Sequence, residues 1–109
     1  MELSPELIRG SVVPIVLSLL EERARYGYEI VKVVDARTNG LLQWREGTLY
    51  PTLHRLEGQG LVRAKWQAAE TGKQRKYYHI TRKGKAALAT RRSEWQQFAT
   101  AVNGLLMTG

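Results

Sequence analysis

Glu46-Gly-Thr-Leu-Tyr-Pro-Thr-Leu-His-Arg-Leu-Glu-Gly-Gln-Gly60 is the stretch whose reading decides the fold. Leu49, Leu53 and Leu56 recur at helical spacing, so a helix here carries them on one stripe. At about 100° per residue, Gly47, Pro51, His54, Arg55 and Gly58 point the opposite way. That outer face is small, polar and nearly free of bulky apolar groups. Pro51 is compatible with a helix that begins near Gly47 or Thr48, because first-turn amides have no internal partner. Gly58 and Gly60 supply the stop. A helix seated by three leucines, with a short polar outer face, fits the major groove of DNA. An ordinary amphipathic surface helix has the same pattern, so the neighbouring segments decide.

Upstream, Ser4-Pro5-Glu6 combines a cap, a first-turn proline and an acid at the positive helix end. The run from Leu7 to Leu20 is apolar on almost every side, which predicts burial by more than one neighbour. Gly10 and Pro14 predict a kink or break near its middle, and the charged Glu21–Arg25 ends it. In Tyr26–Val34 the β-branched residues favour strand. Ile30, Val31 and Val34 share a helical face, however, and Asp35–Arg37 continue it smoothly, so the segment reads as helix. Thr38-Asn39-Gly40 is a turn, and Leu42 and Trp44 are expected on the core.

Downstream, Leu61–Gln67 alternates, Ala68–Gln74 reads as a loop around Thr71-Gly72, and Arg75–Thr81 reads as a second strand. Tyr77 and Tyr78 must lie on opposite faces, one in the core and one partly exposed. Thr81 caps a last helix from about Arg82. Its apolar register is Leu88, Trp95 and Val102, joined by Phe98 and Leu105. Three helices followed by a hairpin make a winged helix-turn-helix, in which the third helix enters the major groove. The expected fold is therefore α+β, mainly α. Residues 1–81 form the winged domain and 82–109 a C-terminal dimerisation helix, in one compact unit.

The net charge of +7, from 17 basic and 10 acidic side chains, suggests a polyanionic partner. Its placement says more. Between Glu70 and Lys85 stand Lys73, Arg75, Lys76, Arg82, Lys83 and Lys85 against one acid. Lys73, Arg75 and Lys76 fall at the hairpin tip and return strand, where they can reach phosphate or the minor groove. With no cysteine and only His54 and His79, no metal cluster can be read. No nucleophile motif, phosphate loop or carboxylate pair points to an enzyme or a cofactor. The N-terminus is acidic, unlike a signal peptide, and Val12–Leu20 is too short to span a bilayer. A cytoplasmic location is the expectation.

Tyr26-Gly-Tyr-Glu-Ile30, Glu46-Gly-Thr-Leu-Tyr-Pro51, His54-Arg-Leu-Glu57, Gly60-Leu-Val62 and Arg75-Lys-Tyr-Tyr-His-Ile-Thr81 together resemble the PadR-type transcriptional regulators. The resemblance runs in order over about residues 8 to 106, and the single C-terminal helix is similar to the small PadR subfamily. It implies a dimeric bacterial transcription factor, usually a repressor, that binds a two-fold-related site on double-stranded DNA and leaves it on binding a small effector.

By position, the resemblance puts Thr48, Tyr50 and Pro51 at the helix start facing DNA, with the Tyr50 hydroxyl donating to phosphate. Packing of Tyr50 on the helix flank is the alternative. His54 and Arg55 are the candidates for base-edge or phosphate contact, unless Arg55 pairs with Glu57 or another acid. Tyr26 opens the second helix, as core or as a phosphate contact. Trp95 looks like the position that in some family members holds flat aromatic or cationic ligands, so Trp95 and Phe98 are effector candidates, with plain packing as the alternative. Arg91, Arg92 and Glu94 beside them would bias such a pocket toward acidic ligands. Leu88, Trp95, Phe98, Val102 and Leu105, with Ile8 and Val12 of the first helix, are expected at the dimer interface. A winged-helix module that binds protein and not DNA is the competing function, but such a module has no need of a basic wing.

Overall fold

The structure is a computed structural model and describes residues 2–107. Its elements are α1 (Pro5–Arg9), α2 (Val12–Glu22), β1 (Arg25–Tyr26), α3 (Gly27–Arg37), α4 (Glu46–Gly58), β2 (Val62–Ala68), β3 (Gln74–Ile80) and α5 (Arg82–Leu106). The Ser4 hydroxyl accepts from the Leu7 amide and Pro5 opens α1. The expected break falls at Gly10 and Ser11, where the Ser11 hydroxyl donates to the Ile8 carbonyl at 2.6 Å. Pro14 then lies in the first turn of α2, where its missing N–H removes no helical bond.

α2 is the spine of the domain. Val16 and Leu17 are wholly buried, and the helix packs on α4, α5 and β3. The segment with strand-like composition folds as α3, because Ile30 and Val34 find a core to enter. Leu49, Leu53 and Leu56 of α4 are all in that core, as is Trp44, with Leu42 half-buried beside it. Asn39 and Gly40 take left-handed φ of 51° and 79°, which closes the turn after α3.

The sheet has the order β1-β3-β2, all antiparallel. In the hairpin Val62 pairs with Ile80 and Ala64 with Tyr78, which is 2% exposed. Tyr77 faces the other way, half-buried. The third strand, Arg25–Tyr26, is an addition to the sequence reading, which placed Arg25 in the charged end of the first helix. That helix stops at Glu22, and Arg25 is buried at 4% exposure. Its Nε donates to the Leu19 carbonyl at 3.2 Å and its Nη2 to Glu22 Oε1 at 2.8 Å. Arg37 donates twice more to Glu22, each at 2.8 Å. These bonds, those of Arg37 first, hold the Glu22 carboxyl down at about 2.

α5 grows directly out of the hairpin. The Thr81 hydroxyl caps the Gly84 amide at 3.0 Å and donates to the Gly60 carbonyl at 2.7 Å. A Cβ on Gly84 would overlap the Leu61 carbonyl oxygen, so only glycine lets α5 lie this close to the start of β2. Leu88, four residues on, has no exposed surface. This corrects its expected place at a dimer interface: Leu88 is consumed within the protomer, and Val12, at 6% exposure, nearly so. Farther along, Trp95, Phe98 and Leu105 are exposed and Val102 is half-buried. Ile8 on α1 is half-buried and keeps some free surface.

Candidate nucleic-acid interface

α4 begins at Glu46 after Arg45, with no side-chain cap on its first turn. Uncapped first-turn amides at an exposed helix start are a ready partner for phosphate oxygens. The helix starts a residue or two earlier than the sequence suggested. Pro51 therefore sits in the second turn, and its missing N–H leaves the Gly47 carbonyl without a helical partner. Thr48, Tyr50, Pro51, His54 and Arg55 all reach solvent, while Leu49, Thr52 and Leu53 turn inward. Arg55 makes no ion pair among the described residues, so the alternative of a bridge to Glu57 is not what holds it.

Tyr50 lies across the start of α3. A Cβ on Gly27 would stand 2.7 Å from the Tyr50 hydroxyl and 2.8 Å from its ring. The ring is therefore packed on the helix flank, yet 39% of the residue stays exposed. Burial, and then the charge of Glu46, push the phenol up, against the opposing pull of Arg75. Tyr50 thus stays a neutral hydroxyl donor near neutral pH.

The wing closes through two bonds: Ala69 N–H donates to the Lys73 carbonyl at 2.9 Å, and Gly72 N–H to the Ala69 carbonyl at 2.8 Å. Gly72 has φ +84°, which few other residues tolerate. Lys73 is free at the tip. Arg75 is not: its guanidinium lies 5.1 Å from the Tyr26 ring centroid, and its Nε is buried without a partner. Lys76 holds its ammonium 5.9 Å from the Tyr78 ring centroid. Both cations rest on aromatic faces, which positions them at little entropic cost. Tyr26 packs edge-on to Tyr77, with centroids 5.4 Å apart. Tyr26, Tyr50 and Arg75 thereby meet where α3, α4 and the return strand converge.

Three features escaped the sequence reading. Arg45 precedes α4 and, with Arg9 and Arg55, lines a groove of about 460 Å³ between α1, α2 and α4. Arg45 adjoins the deciding stretch and could have been found there; Arg9 was hidden in a helix read only as buried. Tyr28 and Lys32 are exposed on α3, the ammonium 5.5 Å from the ring centroid, and their spacing of four was the available signal.

The second predicted group lies along α5. Trp95 lines a cavity of about 300 Å³ with Ser11, Pro14, Ile15, Ser18 and Arg92. Arg92 donates to Glu21 at 3.0 Å and to Ser18 at 3.1 Å, tying α5 to α2. Phe98 stands 6.3 Å from Trp95, centroid to centroid, beside Arg91 and Glu94. Among the described residues, no group of three or more His, Cys, Asp or Glu could hold a metal ion. Among the described residues, no helix is long and apolar enough to cross a membrane.

Comparison with known proteins gives this geometry its context. Residues 16–90 match the model of the transcriptional regulator PadR-like family. A transcriptional regulator of Clostridium thermocellum is 36% identical, with a TM-score of 0.87 over 95% of this chain and 98% of that one. A PadR-like transcriptional regulator of Bacillus cereus is 30% identical, with a TM-score of 0.84 over 95% of this chain and 99% of that one. The transcriptional regulator Rv3488 of Mycobacterium tuberculosis is 35% identical over 86 residues, 79% of this chain and 66% of that protein. Members of the family bind DNA, generally dimerise, and are regulators rather than enzymes. The mainly helical α+β fold with a small antiparallel sheet is theirs as well. The chain belongs to the PadR-like family and is a DNA-binding transcriptional regulator.

Proposed function

We propose that this chain acts in the cytoplasm as a homodimeric repressor on a two-fold-related site in duplex DNA, and that a small effector releases it. The observation that carries the DNA-binding part is the polar outer face of α4 together with the basic wing. Thr48, Pro51, His54 and Arg55 are exposed on the helix, Lys73 is exposed at the wing tip, and Arg75 and Lys76 are half-buried on the return strand. In this reading α4 enters the major groove, with Arg55 and His54 at base edges and Thr48 and Tyr50 on phosphate. Lys73 at the wing tip reaches the neighbouring minor groove, and Arg75 and Lys76 hold phosphate between the two.

The dimer in this reading forms through the distal half of α5, residues Trp95, Phe98, Val102 and Leu105, with Ile8 of the partner's first helix. The effector is a small aromatic or acidic molecule beside Trp95 and Phe98, where Arg91 and Arg92 supply positive charge. Fluorescence anisotropy tests the proposal. The protein is titrated onto a labelled fragment from upstream of its own gene and onto scrambled DNA, at two salt concentrations. Tight binding to the upstream fragment alone, weakened by salt, is the expected result. Equal binding to both fragments would remove the operator from this location, and no binding at low salt would remove the proposal. Arg55→Ala should cost about 1–3 kcal/mol of specific affinity and relax preference at one base position.

A further inference from the structure

Trp66 stands 68% exposed in the middle of β2, outside the hydrophobic core. It shares a sheet face with Val62, Ala64 and Tyr78. That face packs under α4, which contacts β2: Tyr78 is buried, and burial first, then the nearby charge of Glu57 on α4, push its phenol up. Trp66 and its cross-strand partner Lys76 are the next pair outward, about 7 Å beyond Ala64 and Tyr78. The sheet face there has emerged from beneath α4 and is open. It is the side of the wing that looks toward the helix.

A duplex that takes α4 in its major groove and the wing tip in the adjacent minor groove must pass one sugar–phosphate strand between them. The open face of the wing borders that passage. We infer that Trp66 and Lys76 form a cradle for this strand, with the indole ring against the apolar edge of a deoxyribose. The indole N–H is free to donate to a phosphate oxygen, and the Lys76 ammonium supplies the charge. Charge complementarity favours DNA as the occupant over a protein or a second copy of this chain. Neither β2 nor β3 contains an acid, and Lys76 is the charged residue on the cradle's own face, Arg63, Lys65 and Arg75 lying on the opposite face of the same two strands. The cradle rests on the interface proposed above and adds to it a contact that is not ionic.

That difference in kind gives the test. Trp66→Ala, Trp66→Gln, Trp66→Phe and Lys76→Ala are each compared with the parent by anisotropy on a labelled duplex the parent binds, at several salt concentrations. Thermal melting checks that each is folded. Trp66→Ala and Trp66→Gln should weaken binding about five- to tenfold at every salt concentration, with the slope of log affinity against log salt unchanged. Trp66→Phe should recover most of the loss, because a flat apolar ring remains. Lys76→Ala should reduce the slope by about 0.9. Parent-like affinity in both Trp66→Ala and Trp66→Gln would overturn the inference. So would a slope change equal to that of Lys76→Ala, which would mean that Trp66 acts only through the cation beside it. A parent that binds no duplex at low salt would instead remove the interface itself, and the cradle with it.

Discussion

The two halves of α5 are one continuous helix with opposite surroundings. Its first two turns hold Gly84 against the Leu61 carbonyl and bury Leu88 completely. Its last three turns leave Phe98 at 62% and Leu105 at 80% exposure. Helix propensity does not distinguish the halves, and the spacing of seven runs through both. What differs is that the domain ends partway along the helix. A helix of 25 residues is about 37 Å long, and it runs along α2 through Arg92 and Trp95 before its last turns leave the core. The radius of gyration is accordingly 15.2 Å, against about 13 Å for a compact chain of this length. The proximal half serves the stability of one protomer, and the distal half, though Trp95 borders α2, leaves most of the apolar surface of Phe98 and Leu105 uncovered.

The largest expected effect breaks the proximal half. Gly84→Ala drives a methyl group into the Leu61 carbonyl and the Ile80 side chain, and neither strand can retreat without losing the hairpin. A loss of about 3 kcal/mol or more is expected, seen as a melting temperature lower by more than about 10 °C. Melting within a degree or two of the parent would mean that α5 is not docked there. The next effect isolates the distal half. Trp95→Ala combined with Phe98→Ala should give a monomer of 12.4 kDa by sedimentation, because each ring contributes about 2–3 kcal/mol when buried. Helical content should be retained. A persistent dimer would place the interface elsewhere.

Two acidic residues on α2 sharpen the contrast further. Glu22 is bound by Arg25 and Arg37 inside the domain, whereas neighbouring Glu21 ties down the arm through Arg92. The Glu22 carboxyl is lowered from 4.5 to about 2, so its contribution is fully present above about 4.5 and is lost as pH falls through about 2. Glu22→Gln should therefore flatten the fall in stability over that window, as followed by acid titration of the melting temperature. An unchanged acid profile would mean that the carboxylate is not what the two arginines hold. The Arg92–Glu21 pair is half exposed, and Arg92→Ala should cost about 0.5 kcal/mol or less. Its visible effect should be faster proteolysis along the arm, with global melting nearly unchanged.

Much of this was legible. The leucines of α4, the caps Ser4 and Thr81, and the break at Gly10 follow from local rules that tertiary contacts only reinforce. The alternation of Tyr77 and Tyr78 was legible too, though not which of them is buried. β1 was not, because two residues carry no periodicity. Arg25 reads as a solvated charge until the Leu19 carbonyl and Glu22 come round to meet it. Leu88 and Trp95 share a stripe, and no spacing reveals that the first is wholly buried while the second is left 45% exposed. Within the candidate site, the exposure of His54 and Arg55 followed from helix geometry. The Tyr50–Gly27 contact and the resting place of Arg75 on Tyr26 depend on three elements at once.

The docking of Gly84 has a mechanical consequence. One residue, Thr81, separates the wing strand from this helix, which lies closest to the hairpin at Leu61, just before the other strand begins. From Gly84 to Leu106 the arm is a lever of about 33 Å. A turn of about ten degrees at that fulcrum sweeps its far end through about 6 Å, on the order of one helical pitch. Seen from a partner gripping the far end, the same small rotation swings the whole winged domain. In the proposed dimer, the distance between the two winged domains would be geared to the angle at a single close-packed glycine.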